Sequence, residues 1–137
     1  MADPPFRVRP RLADDNRHFW TGGERGELVF LRCSDCGYYI HPPAPVCPEC
    51  LSWDVAPQAV SGRAVVHSVT VNQQAWNPTM PPPYVIGLVE IEEQPSVRLM
   101  TNIVGCEPDA VTIGMAVRVV FERHDDVWIP LFEPAES

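Results

Sequence analysis

The chain has 137 residues, with ten basic side chains (all arginine) against eighteen acidic ones, for a net charge of −8. That length holds one compact domain or two very small ones, and 45% apolar with 20% charged residues is globular composition, not that of a disordered chain. No apolar run approaches the ~20 residues of a membrane span, and Met1–Arg7 lacks the apolar segment of a secretory leader, so a cytoplasmic protein is expected.

Charge is unevenly placed. Residues 1–32 carry six arginines and five acids, whereas 33–137 carry four arginines and thirteen acids. A protein that binds phosphate backbones needs a basic surface, and only the first thirty residues approach one. Nucleic-acid binding is thus the weaker alternative, although ribbons and small barrels elsewhere do it. Sixteen prolines and eight glycines favour turns and short elements over long helix.

The first segment, 1–27, reads as a short helix capped by Asp14 or Asp15, with Phe19 and Trp20 supplying apolar bulk. Adjacent on a helix, they diverge by ~100°, which predicts one ring inward and one outward. Gly22, Gly23 and Gly26 limit its length, and Leu28–Leu31 reads as a short strand.

Residues 28–56 contain Cys33-x2-Cys36 and, ten residues later, Cys47-x2-Cys50. Two-residue spacing lets both thiolates of a knuckle face one ion, and two knuckles close a tetrahedral shell. Four soft ligands with no open position point to one structural Zn²⁺ per chain; two disulfides or a thioredoxin-like redox pair are the alternatives. Gly37 allows the first knuckle to turn back toward the sulfur. Pro42, Pro43 and Pro45 stiffen the connector, and Arg32 is placed to soften the charge of the site. Cys106, beside Glu107 and Asp109, lacks the electropositive surroundings of a reactive thiol.

Residues 57–137 read as five strands: Arg63–Val71, Tyr84–Ile91, Val97–Val104, Val117–Phe121 and Val127–Phe132. In the first, Val65, His67, Val69 and Val71 share one face and Ala64, Val66, Ser68 and Thr70 the other. Gln94-Pro95-Ser96, Glu107-Pro108-Asp109 and Asp125-Asp126 separate later strands, with a short helical link near 108–111. A five-stranded OB barrel fits best, with an SH3-like barrel as competitor. The proline-rich segment from Gln74 to Pro83 exceeds a hairpin turn, and its Trp76 either serves a partner or covers the barrel's open end. His67, His124 and Glu90 are the available acid–base groups, but no spacing among them supports a catalytic constellation, so an autonomous acyl-CoA enzyme is a second alternative only.

An N-terminal helix, a four-cysteine ribbon and an OB barrel, in that order, resemble the zinc-ribbon/OB-fold proteins associated with acyl-CoA metabolism, formerly a domain of unknown function. The resemblance is carried by Phe19-Trp20, Gly26 to Cys33, His41 to Cys50, Ser61 to Thr70, Pro83-Tyr84, Val89 to Glu92, Asn102 to Gly105 and Ile113 to Met115, and covers about residues 14–133. His41 stands where an aromatic such as Phe is expected. The resemblance implies a non-catalytic partner of a thiolase-like enzyme, in a thiolase or a steroid side-chain aldolase complex, with acyl-CoA shared at the interface; the domain also occurs fused to hydratase domains. With that role in view, the candidate residues for partner or acyl-CoA contact are Arg17 by its charge, Phe19 and Trp20 on the helix, Trp76 in the long loop, and Tyr84 and Asn102 where strands leave the loop side.

Overall fold

In a computed structural model that describes residues 9–75 and 81–135, strands dominate and the only α-helix among those residues is α1, Arg17–Thr21. Asn16 precedes α1, correcting the expected Asp14 or Asp15 cap. The Asn16 side chain fastens the approach instead: Oδ1 accepts from the Ala13 amide at 2.8 Å and Nδ2 donates to Arg11 O at 3.1 Å. A 3-10 turn over Gly22–Arg25 follows. Gly23 is required there by close approach, since a Cβ would fall 2.4 Å from Trp128 Cβ and 2.6 Å from the Phe121 ring. The helical segment is thereby pressed onto the final hairpin of the barrel.

β1 (Leu28–Cys33) is the centre of a three-stranded sheet, flanked by β2 (Tyr39–Ile40) and β3 (Val55–Val60), both antiparallel. β3 had no counterpart in the strands expected above. Pro57 at its middle weakens a strand reading, yet β3 lies at the sheet's edge, where a missing N–H costs little. It pairs along its whole length, from Leu28↔Val60 to Cys33↔Val55.

The remaining strands are β4 (Arg63–Asn72), β5 (Tyr84–Ile91), β6 (Gln94–Ile103), β7 (Ala116–His124) and β8 (Val127–Pro134), closed in the order β4-β5-β6-β8-β7. β7 returns to β4 through Ala64↔Val117, and β6 meets β8 in parallel at Ile103↔Phe132. Thr101 Oγ1 reinforces that closure by donating to Pro130 O at 3.0 Å. Adjacency of the third and fifth barrel strands is the Greek-key order of an OB barrel rather than the SH3-like competitor.

Two details depart from expectation. The alternation along β4 is broken by a bulge between Val66 and Ser68. Ala64 and Val66 point inward before it; Val69 and Val71 pack on the core after it, while Val65 and Thr70 face solvent. An extra residue reverses the phase of every side chain that follows. The β5–β6 turn is Glu92-Glu93 instead of Gln94–Ser96, with Ile91 paired to Gln94 and Glu90 to Arg98. Pro95 falls in the unpaired stretch between those two pairs, where its missing donor is tolerated.

Gln94 has a further use. Its Oε1 accepts from the Tyr39 amide and its Nε2 donates to Tyr39 O, both at 2.9 Å, so one side chain completes the backbone pairing of β2 and ties ribbon to barrel. A single buried cluster includes Phe19, Leu28, Phe30 and Tyr39 together with Val66, Val89, Ile91 and Phe132. Beyond it, toward the knuckles, a small second cluster holds Cys33, Ile40 and Cys47. No helix among the described residues is long and apolar enough to cross a membrane.

Candidate functional site

The knuckles Cys33–Cys36 and Cys47–Cys50 stand at the end of the ribbon sheet, and all four sulfurs lie within 4.8 Å of one another. Cys33 Sγ is 3.5 Å from Cys50 Sγ, and Cys36 Sγ is 3.5 Å from Cys47 Sγ. A tetrahedron of ~2.3 Å Zn–S bonds has edges of ~3.8 Å, so the set fits one Zn²⁺. None of these sulfurs is within disulfide-bond length of another, and all four converge on one point instead of forming two separate pairs, the arrangement of a metal shell rather than of two disulfides or a redox pair.

Backbone amides supply the surrounding electrostatics. Those of Cys36 and Asp35 point at the Cys33 sulfur and, against burial, bring that thiol down to about 7. At Cys50 the Ser52 amide favours the thiolate, but the neighbouring Cys33 thiol and burial outweigh it and push the group up to about 12. Four crowded thiols cannot all ionise without a cation, so the site calls for one; when bound, zinc supplies charge compensation and a covalent cross-link between the knuckles. Arg32 is less a counter-charge than a brace. Its Nε donates to Gly37 O at 3.0 Å and its guanidinium lies 4.8 Å from the Tyr39 ring centroid.

His41 is no ligand. Its ring stacks on Phe19 at 4.9 Å and meets Phe30 edge-on at 5.0 Å, which is the work of the aromatic expected at this position. Burial first, and the nearby His18 second, lower its pKa to about 4, and its buried Nδ1 has no hydrogen-bond partner. A group neutral when folded and near 6.5 when unfolded adds stability that is complete above pH ~6.5 and lost as pH falls toward about 4. With allowance for its partial exposure the loss is ~2 kcal/mol. His41→Phe is expected to flatten stability against pH across that window in urea titrations; a wild-type slope retained by the variant would assign the acid sensitivity elsewhere.

The suggested contact residues fall on separate elements. Phe19 is 3% exposed, so its ring serves the core and offers a partner nothing in this conformation. Trp20 is half-buried, edge-on to Phe19 at 4.7 Å, and so is only partly outward. Arg17 is exposed on α1 and lines a groove of about 810 Å³ floored by Val29, Leu31 and Val55 of the ribbon. Tyr84 and Asn102 are half-buried on β5 and β6, where Asn102 Nδ2 donates to Val85 O at 2.8 Å. Trp76 lies outside the described residues.

The acid–base groups are engaged locally. His67 Nδ1 pairs with Ser68 Oγ at 2.6 Å, His124 Nε2 donates to Glu122 Oε1 at 2.6 Å, and Glu90 accepts from Arg98 at 3.3 Å. Cys106 is half-buried and packs against the main cluster as a small apolar residue. Sequence reasoning overlooked Leu51 and Trp53, which are 72% and 76% exposed just past the second knuckle. The available signal was an apolar pair flanked by Cys50, Ser52 and Asp54, where a zinc-pinned turn has no interior to bury it.

Two family models match in succession. Residues 20–55 match the rubredoxin-like zinc ribbon domain of ChsH2, and residues 57–122 match the C-terminal OB-fold domain of ChsH2. The 3-oxo-4,17-pregnadiene-20-carboxyl-CoA hydratase alpha subunit of Mycobacterium tuberculosis is 35% identical over 134 residues, 98% of this chain and 42% of that protein. A DUF35 domain-containing scaffold protein of Methanocaldococcus jannaschii is 35% identical over 102 residues, 73% of this chain and 71% of the relative. Among solved structures, one described as an Ltp2-ChsH2(DUF35) aldolase superposes with a TM-score of 0.82 at 35% identity, covering 92% of this chain and 98% of that one. The chain spans about two fifths of the length of the hydratase subunits it matches.

Proposed function

Since the chain belongs to the DUF35 family of ChsH2-type zinc-ribbon/OB-fold proteins, we propose that it is a non-catalytic accessory subunit of an enzyme acting on acyl-CoA. Its partner in this reading is a thiolase-fold enzyme, a thiolase or a retro-aldolase, and the favoured setting is degradation of a steroid or lipid side chain. The observation that carries the reading is the likeness to a chain of the structure described as an Ltp2-ChsH2(DUF35) aldolase, 98% of which is covered. The hydratase relative with a steroid-CoA name supports the substrate class. Local engagement of His67, His124 and Glu90 on separate strands supports a chain that leaves the chemistry to its partner.

In this role the zinc-pinned ribbon and the barrel form a stiff docking body. Arg17, exposed at the groove beside α1, is the group this reading offers to the phosphate groups of CoA, with Arg25, paired to Glu27 at 2.9 Å, beside it. Co-expression with a thiolase-fold protein encoded beside it should give a complex that co-elutes on size exclusion and gains activity over either chain alone. Separate elution from every such neighbour, or turnover of an acyl-CoA thioester by this chain alone, would overturn the reading.

A further inference from the structure

The tip of the second knuckle carries a feature that neither the metal nor the core explains. Each knuckle ends in a turn at the residue after its second cysteine. In the first, Gly37 takes φ 80 and its amide donates to Cys33 O at 2.9 Å. In the second, Leu51 takes φ 65 and its amide donates to Cys47 O at 2.9 Å. The two turns are the same, but the second places a bulky side chain where backbone sterics favour glycine. That side chain is 72% exposed, so packing does not repay the strain. Trp53, two residues on, is 76% exposed.

We infer that Leu51 and Trp53 form an anchor that inserts into an apolar pocket, rimmed by arginine or lysine, on the catalytic partner subunit. This rests on the accessory-subunit reading and specifies which surface meets the partner. The anchor is preorganised. Cys47 N donates to Ser52 O at 2.9 Å, Asp54 N to Ser52 Oγ at 3.0 Å, and Ser34 N to Asp54 O at 2.8 Å, so little freedom is left to lose on docking. A large aromatic side chain on a rigid turn is the usual composition of an interface hot spot.

Charge selects the occupant. Residues 33–54 hold Asp35, Glu49 and Asp54, all exposed, while the adjoining Arg32 is turned back onto Gly37 O and the Tyr39 ring of the first knuckle. An acidic rim repels nucleic acid and anionic lipid alike. A second copy of this chain is a poorer fit, because its own apolar groove over Val29, Leu31 and Val55 sets Asp14 and Asp15 beside Arg17 and Arg25, so the rim is not basic. What complements the tip is a different protein presenting a basic rim around an apolar cleft.

The test measures affinity of the full chain for the thiolase-fold protein with which it co-purifies, alongside zinc content and thermal stability. Trp53→Ala is expected to weaken the complex ~30-fold, with zinc content and melting unchanged. Leu51→Gly is expected to weaken binding several-fold while leaving stability equal or raised, opposite in sign to what a structural role requires. Glu49→Gln with Asp54→Asn should reduce the dependence of association on salt. Variants that bind within about 2-fold of wild type, in a complex that itself forms normally, would overturn the anchor and leave the accessory-subunit reading in place. Failure of the wild-type chain to bind any thiolase-fold protein would overturn both.

Discussion

Stripping the metal with a chelator, or replacing Cys33 by Ser, is expected to release one zinc per chain and open residues 33–54 while β1, β3 and the barrel stay folded. The segregation follows from where the apolar residues lie. The knuckles are backed by a small cluster, Cys33, Ile40 and Cys47 with Leu31, Tyr38, Ala44 and Val55 partly buried against it. Its buried members are two ligands and one isoleucine, so without metal the loop's conformational entropy, ~1–2 kcal/mol per residue, goes uncompensated. Structural zinc contributes ~10–16 kcal/mol in small domains, far more than this cluster supplies. The base of the ribbon is held differently: Leu28, Phe30 and Tyr39 belong to the cluster that fills the barrel. Hydrogen exchange should therefore show protection lost across 33–54 and kept across β5 and β6, with melting lowered by at least ~10 °C. Knuckle amides that remain protected after chelation would show that zinc is dispensable to the fold, and equal loss in the barrel would show that the segregation is wrong.

What could be read from sequence is what periodicity and spacing encode directly. Four thiols at two fixed spacings determine a closed metal shell whatever surrounds them, and the five barrel strands announce themselves by alternating apolar residues. The misreadings arise where one residue changes the phase of everything after it. His67 lies within the β4 bulge, so a face assigned by alternation from Val65 onward is right for Val69 and Val71 and wrong for Val65. Pro57 and Pro95 both sit in strands, because one lies on a sheet edge and the other between paired residues, and neither circumstance is local to the sequence. Gln94 looks like a turn residue until β2 is brought beside it and its amide substitutes for a strand. The Leu51–Trp53 tip was missed for a related reason. Apolar residues near a zinc knuckle read as packing until the exposures are known.

Phe30→Ala is expected to be among the costliest truncations, ~3–5 kcal/mol, and to weaken the barrel as well as the ribbon. Phe30 is fully buried, lies 5.8 Å from the Phe19 ring and 5.0 Å from that of His41, and so stands where helix, ribbon and connector converge. Its cluster continues without a break through Val66, Val89 and Ile91 to Phe132 on the barrel's closing strand. Close-packed interiors do not relax into a void of that size, and the cost is shared by every element lining it. The variant should melt in one cooperative transition ~10–15 °C below wild type, with protection in β5 and β6 falling in parallel with that in β1. Metal removal and this truncation thus predict opposite patterns: the first disorders the tip and spares the barrel, the second keeps its zinc and loosens both units together. A Phe30→Ala protein with two transitions, the barrel's at its wild-type temperature, would mean that ribbon and barrel are independent bodies. The preorganised geometry on which docking by this chain depends would then have to come from the partner.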